Sequence, residues 1–204
     1  MKKLFEILVK PSKWIFIVCA AIIAVAFAIT KAKLIGSASG FVPVVSALVV
    51  MLVGTLLLLA SPVLLLMKKE NEAKMVFLLL LVYWLIWYTQ RNFEIASTYP
   101  TDNALSTLAV IFSFLVALCL TEVLVLTVLE FALKKQSLRY FSAFVLFFAL
   151  AFGFFASLFF FICGIKVGSI WEMTLQNILI VLGYTFAVFF GYIYFFGVPK
   201  KAND

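Results

Sequence analysis

Six stretches of this chain are too long and too apolar to belong to the surface of a water-soluble fold: Trp14 to Thr30, Phe41 to Met67, Met75 to Thr89, Ala104 to Leu133, Tyr140 to Ile165 and Asn177 to Val198. A hydrocarbon core of ~30 Å takes roughly 20 residues of helix to cross. The third stretch is short and must borrow from its flanks. In lipid every backbone polar group has to be paired internally, which leaves helices or closed barrels. Unbroken runs such as Leu56–Leu59 and Phe159–Phe161 do not show the two-residue alternation of barrel strands. Only 12% of the residues are charged, about half the share of an ordinary soluble domain. That is too few to clothe a soluble core, so soluble enzymes, nucleic-acid binders and disordered tails are set aside. The expected fold is an all-α integral membrane protein, a compact bundle of six transmembrane helices forming one domain over residues 1–204.

The basic residues predict its orientation. With the N-terminus inside, the cytoplasmic segments hold Lys2, Lys3, Lys10, Lys13, Lys68, Lys69, Lys74, Lys134, Lys135, Arg139, Lys200 and Lys201. The outer segments hold Lys31, Lys33, Arg91 and Lys166. This is the asymmetry of the positive-inside rule, and it places both termini in the cytoplasm. Trp87, Tyr88, Tyr99 and Trp171 then fall near the outer boundary, and Trp14 and Tyr140 near the inner one, as interfacial aromatics should. A prokaryotic cytoplasmic membrane is the expected location. The first stretch is longer than the hydrophobic region of a cleavable signal, so it is read as a span. Ahead of it, Leu4, Phe5, Leu8 and Val9 alternate with Lys2, Lys3, Glu6 and Lys10. They predict a short amphipathic interfacial helix, stopped by Pro11, with Ser12 capping the helix that follows. Ser169–Ile170–Trp171–Glu172 reads as a capping box before the sixth span.

Because lipid is as apolar as leucine, helices in a membrane associate through close backbone approach, which small residues at four-residue spacing permit. Helix one offers Ala20, Ala24 and Ala28; helix five offers Ala149, Gly153 and Ser157; helix six offers Gly183, Ala187 and Gly191. Packing within the bundle is the simplest use of these grooves. Docking of other membrane subunits through the same small-residue faces is the alternative. The alanine triplet of helix one is similar to the AxxxA patch by which the small vitamin-binding subunits of energy-coupling-factor transporters meet their partner. Those subunits are also of about this size, with six helices. The likeness is confined to these few residues. No vitamin-binding signature accompanies it, and family membership is not drawn from it.

Polar groups inside the spans are few, and such groups are the default candidates for function in a membrane. No Lys or Arg falls within a span. The one deep acid is Glu122, eight residues or ~12 Å above the inner end of helix four at Glu130. Depth matching pairs it with Tyr83 and Ser61. Ser61 precedes Pro62, which deprives the Leu58 carbonyl of its usual N–H partner. Glu122, Tyr83 and Ser61 are therefore the candidate intramembrane polar site. Glu130 is expected to form a surface pair with Lys134. Tyr192 and Tyr194 are expected in the inner aromatic belt, with Tyr184 and Thr185 deeper and able to face a cavity. The chain has no histidine and no CxxC, and its cysteines Cys19, Cys119 and Cys163 lie at different depths. Catalytic residues, metal and cofactor are accordingly not expected, and a disulfide is not expected either. The expected function is a small non-ATPase membrane component of a solute transport system; the alternative is a non-catalytic membrane interaction protein such as a structural subunit, sensor partner or immunity-type protein. In both, the lipid bilayer is the first partner, nucleic acid is not one, and any small-molecule ligand is unspecified.

Overall fold

The computed structural model describes residues 2–37, 41–98, 104–133, 137–167 and 178–197. These residues are helical throughout apart from the turn at 67–69 and the bend at Gly197. The helices are α1 (Lys2–Ser37), α2 (Phe41–Leu66), α3 (Glu70–Thr98), α4 (Ala104–Leu133), α5 (Ser137–Val167) and α6 (Tyr184–Phe196). A π-helical turn at Leu179–Gly183 leads into α6. Among the described residues four helical segments are long and apolar enough to cross a membrane: Ile7–Ala26, Glu70–Gln90, Ala104–Leu133 and Leu138–Cys163. Leu52–Leu66 and Val181–Phe196 are shorter apolar segments.

The third helix does borrow from its flanks, running from Glu70 to Thr98. Its acidic residues Glu70 and Glu72 lie in the first turn, where the helix dipole favours them. The expected interfacial helix is not a separate element. α1 continues through Pro11 from Lys2 to Ser37. Proline withholds one intrahelical N–H, and the Ser12 hydroxyl donates to the Leu8 carbonyl at 2.5 Å rather than capping a new helix. The capping box at Ser169–Glu172 lies outside the described residues.

Between α2 and α3 the chain reverses in three residues. Lys69 N–H donates to Leu64 O at 2.9 Å and Lys68 N–H to Leu65 O at 3.2 Å, while Lys68 adopts φ 62°. This is a Schellman ending with lysine in the left-handed position that glycine usually fills. It aims α3 back along α2, and Ser61 on α2 donates to Ala73 O on α3 at 3.0 Å.

Each helix packs on its neighbour in sequence, and α6 closes the circuit by packing on α1 as well as α5, with a lighter contact to α3. α4 and α5 form the most extensive pair. α6 is correspondingly buried over a broad stripe, Tyr184, Thr185, Ala187, Val188, Gly191, Tyr192, Ile193 and Phe196. The small residues explain how it fits. A Cβ added at Gly191 would run into the Phe77 ring and lie 3.1 Å from Phe16; one at Gly183 would lie 3.3 Å from Ile23. Gly153 of α5 faces Val181 and Thr185. Ala20, Ala24, Ala149 and Ala187 are fully buried, Ser157 is buried, and Ala28 is half-buried. At one end Phe16, Phe77 and Phe195 interlock α1, α3 and α6 with ring centroids 5.1–6.0 Å apart. Contacts of this kind contribute about 0.5–1.5 kcal/mol each beyond buried area.

Candidate functional site

The three residues matched by depth do not come together. Ser61 is fully buried, but its hydroxyl is bonded to Ala73 O in the α2–α3 corner. Tyr83 is half-buried on α3, on the side of Tyr184. Glu122 is exposed on the outer side of α4, and α2 does not pack against that helix to any extent. Depth is legible from position along a helix; direction around the axis depends on which face packs inward. The inward face of α4 is Ser106, Ala109, Ser113, Val116, Ala117, Leu120, Val123, Thr127 and Glu130. Ala109, Ser113 and Ala117 repeat the four-residue small spacing recognised on other helices, and that signal was present in the sequence. At 3.6 residues per turn, Glu122, nine residues after Ser113, points ~180° away from it.

Two buried polar clusters lie elsewhere. The first joins α3 to α4. Ser113 Oγ donates to Asn92 Oδ1 at 2.5 Å, and Asn92 Nδ2 donates to Ser113 O at 3.2 Å. Since the Ser113 proton is committed to Asn92, the 3.0 Å contact with Tyr88 has the tyrosine O–H as donor. Tyr88 and Asn92 are each 2% exposed. Tyr88 is thus a buried hydrogen-bonding residue rather than a boundary aromatic. Asn92 lies in the polar stretch Gln90–Glu94, just past the end of the third apolar run, so a search for polar groups within the spans did not reach it.

The second cluster joins α4, α5 and α6 towards the other end of the bundle. Glu130 is 7% exposed and is ion-paired through Oε1 with Nε of Arg139 on α5. Glu130 is thus a buried acid, bridged to the start of α5, and not a surface one; its expected partner Lys134 lies outside the described residues. The short connection brings the start of α5 beside the end of α4, a proximity that counting four residues along one helix misses. Glu130 Oε2 is buried without a hydrogen-bond partner among the described residues. Thr127 donates to Val123 O at 2.7 Å, and Ser142 to Leu138 O at 3.0 Å. Tyr192 stands between them, 3.4 Å from Thr127 Oγ1 and in hydrogen-bond contact with Ser142. It is 1% exposed, so it is a core residue and not a belt tyrosine. Tyr194 is half-buried, donating to Glu70 Oε1 at 3.1 Å, with the Lys13 ammonium 6.0 Å from its ring centroid. Lys74 lies 4.3 Å from the Phe196 centroid and 5.6 Å from that of Phe131.

Around the π-helical turn, Trp84 and Trp87 of α3 pack against the Tyr184 ring, which is buried. Thr185 bonds the carbonyl of Val181. A groove of about 210 Å³ opens beside the same turn, lined by Cys19, Ile22, Ile23, Ile178, Leu182, Gly183 and Phe186. Its lining is apolar and suits hydrocarbon.

The chain matches no family model, no curated protein and no solved structure.

Among the described residues no group of three or more His, Cys, Asp or Glu side chains could hold a metal ion, and Cys19, Cys119 and Cys163 are not joined in disulfides. The inward polar groups chiefly tie helices to one another. Glu122 differs from them. None of the described residues hydrogen-bonds or ion-pairs with it, and Thr121 beside it turns its hydroxyl back to Ala117 O at 2.9 Å.

Proposed function

We propose that this chain is a non-catalytic, six-span membrane subunit with both termini in the cytoplasm, and that it acts by holding to a partner chain in a larger membrane assembly. The observation that carries the reading is Glu122, a polar side chain on the outer side of a helix whose exposed neighbours Leu118, Val125 and Leu129 are apolar. Acids within transmembrane helices ordinarily face a bundle interior or pair with another group, because lipid offers them nothing. An outward acid is accounted for if another protein covers it. The interior supports the same reading: Ser61, Tyr88, Asn92 and Ser113 are engaged in bonds between helices, and Thr127 and Thr185 bond back to their own helices.

A membrane component of a solute transport system is the second reading. It is favoured by the cluster of Glu130, Arg139, Thr127, Tyr192 and Ser142, where one carboxylate oxygen is buried without a partner among the described residues. Gentle extraction followed by native mass analysis separates the readings. A stoichiometric second chain, with no small molecule, is the outcome expected of an interaction subunit. A retained solute lost in Glu130→Gln would favour the transport component. A chain that stays alone after cross-linking in the membrane would overturn the subunit reading.

A further inference from the structure

Resting on the subunit reading, we infer that the outer face of α4 seats a transmembrane helix of a different protein, and that this helix carries a lysine or arginine at the depth of Glu122. The face is an exposed row of Leu118, Glu122, Val125 and Leu129, with Ile111 exposed beyond the half-buried Phe114 and Leu115. The members of the row recur at intervals of four, three and four residues, the spacing that lies along a neighbouring helix crossing at a shallow angle. Leu118 is 63% exposed and Val125 51% exposed, so the row is open on both sides of the acid.

Depth decides the chemistry of the occupant. α4 runs from Ala104 to Leu133. Glu122 lies three to four residues past its midpoint, or ~5 Å. If the helix is centred in a ~30 Å core, the nearer hydrocarbon edge is ~10 Å away, too far for a glutamate to reach as lysine and arginine do by snorkelling. Headgroups therefore do not supply a partner. This chain does not supply one either: its Lys and Arg residues lie towards the ends of the helices, and none of the described residues pairs with Glu122. A second copy is disfavoured because it brings no cation to that level. A two-fold axis along the membrane normal would bring one Glu122 against another at equal depth, which offers the acid no opposite charge. A cationic side chain on a different helix supplies the opposite charge and hydrogen-bond donors together.

The test places a photoreactive residue at Leu118 or Val125 of the full chain in its own membrane and maps the cross-linked peptide by mass spectrometry. Both positions are expected to capture one transmembrane segment with a Lys or Arg within one turn of the attachment point. Glu122→Gln should lower the yield at least tenfold, and Glu122→Asp should retain most of it. The Gln variant is checked for unchanged melting in detergent; should it fail to fold, the mapped peptide alone decides. Capture of a second copy, capture of a segment with no basic residue at that level, or an unchanged yield in a folded Gln variant would overturn the inference. In each case a co-purifying chain would leave the subunit reading standing. Lipid adducts alone at both positions would also overturn it, and if no chain co-purified the subunit reading would fall with it.

Discussion

At the residue scale, stability depends on a few polar atoms whose partners lie on other helices. Ser113 is the hub of the α3–α4 cluster: it donates to Asn92, accepts from Tyr88, and its carbonyl accepts from Asn92. Ser113→Ala leaves both a buried amide oxygen and a buried phenol short of a bond. It should cost ~1–3 kcal/mol. Tyr88→Phe removes only an outer donor and leaves the Ser113–Asn92 bonds in place. It should cost nearer ~0.6 kcal/mol, the average for hydrogen bonds between membrane helices. Unfolding of the two variants in mixed micelles by denaturing detergent measures the difference, and equal costs would deny Ser113 its central place. Lys68 poses a backbone question. It holds φ 62°, which costs a residue with a Cβ about 1 kcal/mol or more and costs glycine nothing comparable. Lys68→Gly should therefore raise stability in the same titration, by up to ~1 kcal/mol.

At the element scale, small residues decide how near the helices can come, and they are not equivalent. Gly191 faces Phe77 and Phe16 so closely that a methyl group must displace an aromatic ring. Gly153 has its nearest neighbours at 3.4–3.7 Å, ordinary contact distances. Gly191→Ala should destabilise by ~1–3 kcal/mol through overpacking. Gly153→Ala should be neutral or stabilising by up to ~1 kcal/mol, because alanine is the better helix former. Gly153→Leu should behave like Gly191→Ala, since the added bulk meets Val181 and Thr185. Melting of the three purified variants checks the order, and a costly Gly153→Ala would mean that α5 and α6 lie closer than described. Of these elements, the existence of the helices was legible as apolar runs, and the third was legible as a helix needing its flanks. The continuity of α1 through Pro11 was not. A proline predicts one missing hydrogen bond, whereas whether the helix breaks there depends on what surrounds it.

For the whole molecule, the ring of helices with α6 closing against α1 is compatible with alternating passage through a bilayer, and the basic residues propose its sense. Single cysteines introduced between Lys68 and Lys74, in a background lacking Cys19, Cys119 and Cys163, should react with an impermeant maleimide only from the cytoplasmic side. One at Ser97 should react only from outside. The reverse pattern would overturn the orientation, and same-side labelling would overturn the passage of α3 across the membrane.

Composition and the length of the apolar runs were enough to determine the class of protein, because lipid imposes helical self-pairing on any chain this apolar. They also ordered the polar residues along each helix, since helical rise is fixed. What they left open was azimuth. Ser61 and Glu122 were matched in depth, but one faces a helix corner and the other faces outward. Glu130 was read as a surface acid and is instead buried against Arg139. A residue's direction around its helix is set by which faces pack together. Packing depends on the fit of small and large side chains from several distant segments at once: Gly191 against Phe77 and Phe16, Gly153 against Val181, and Ala109, Ser113 and Ala117 on the inward side of α4. Only the tertiary structure brings those segments into contact, and so only it distinguishes an acid that holds the bundle together from one that faces away from it.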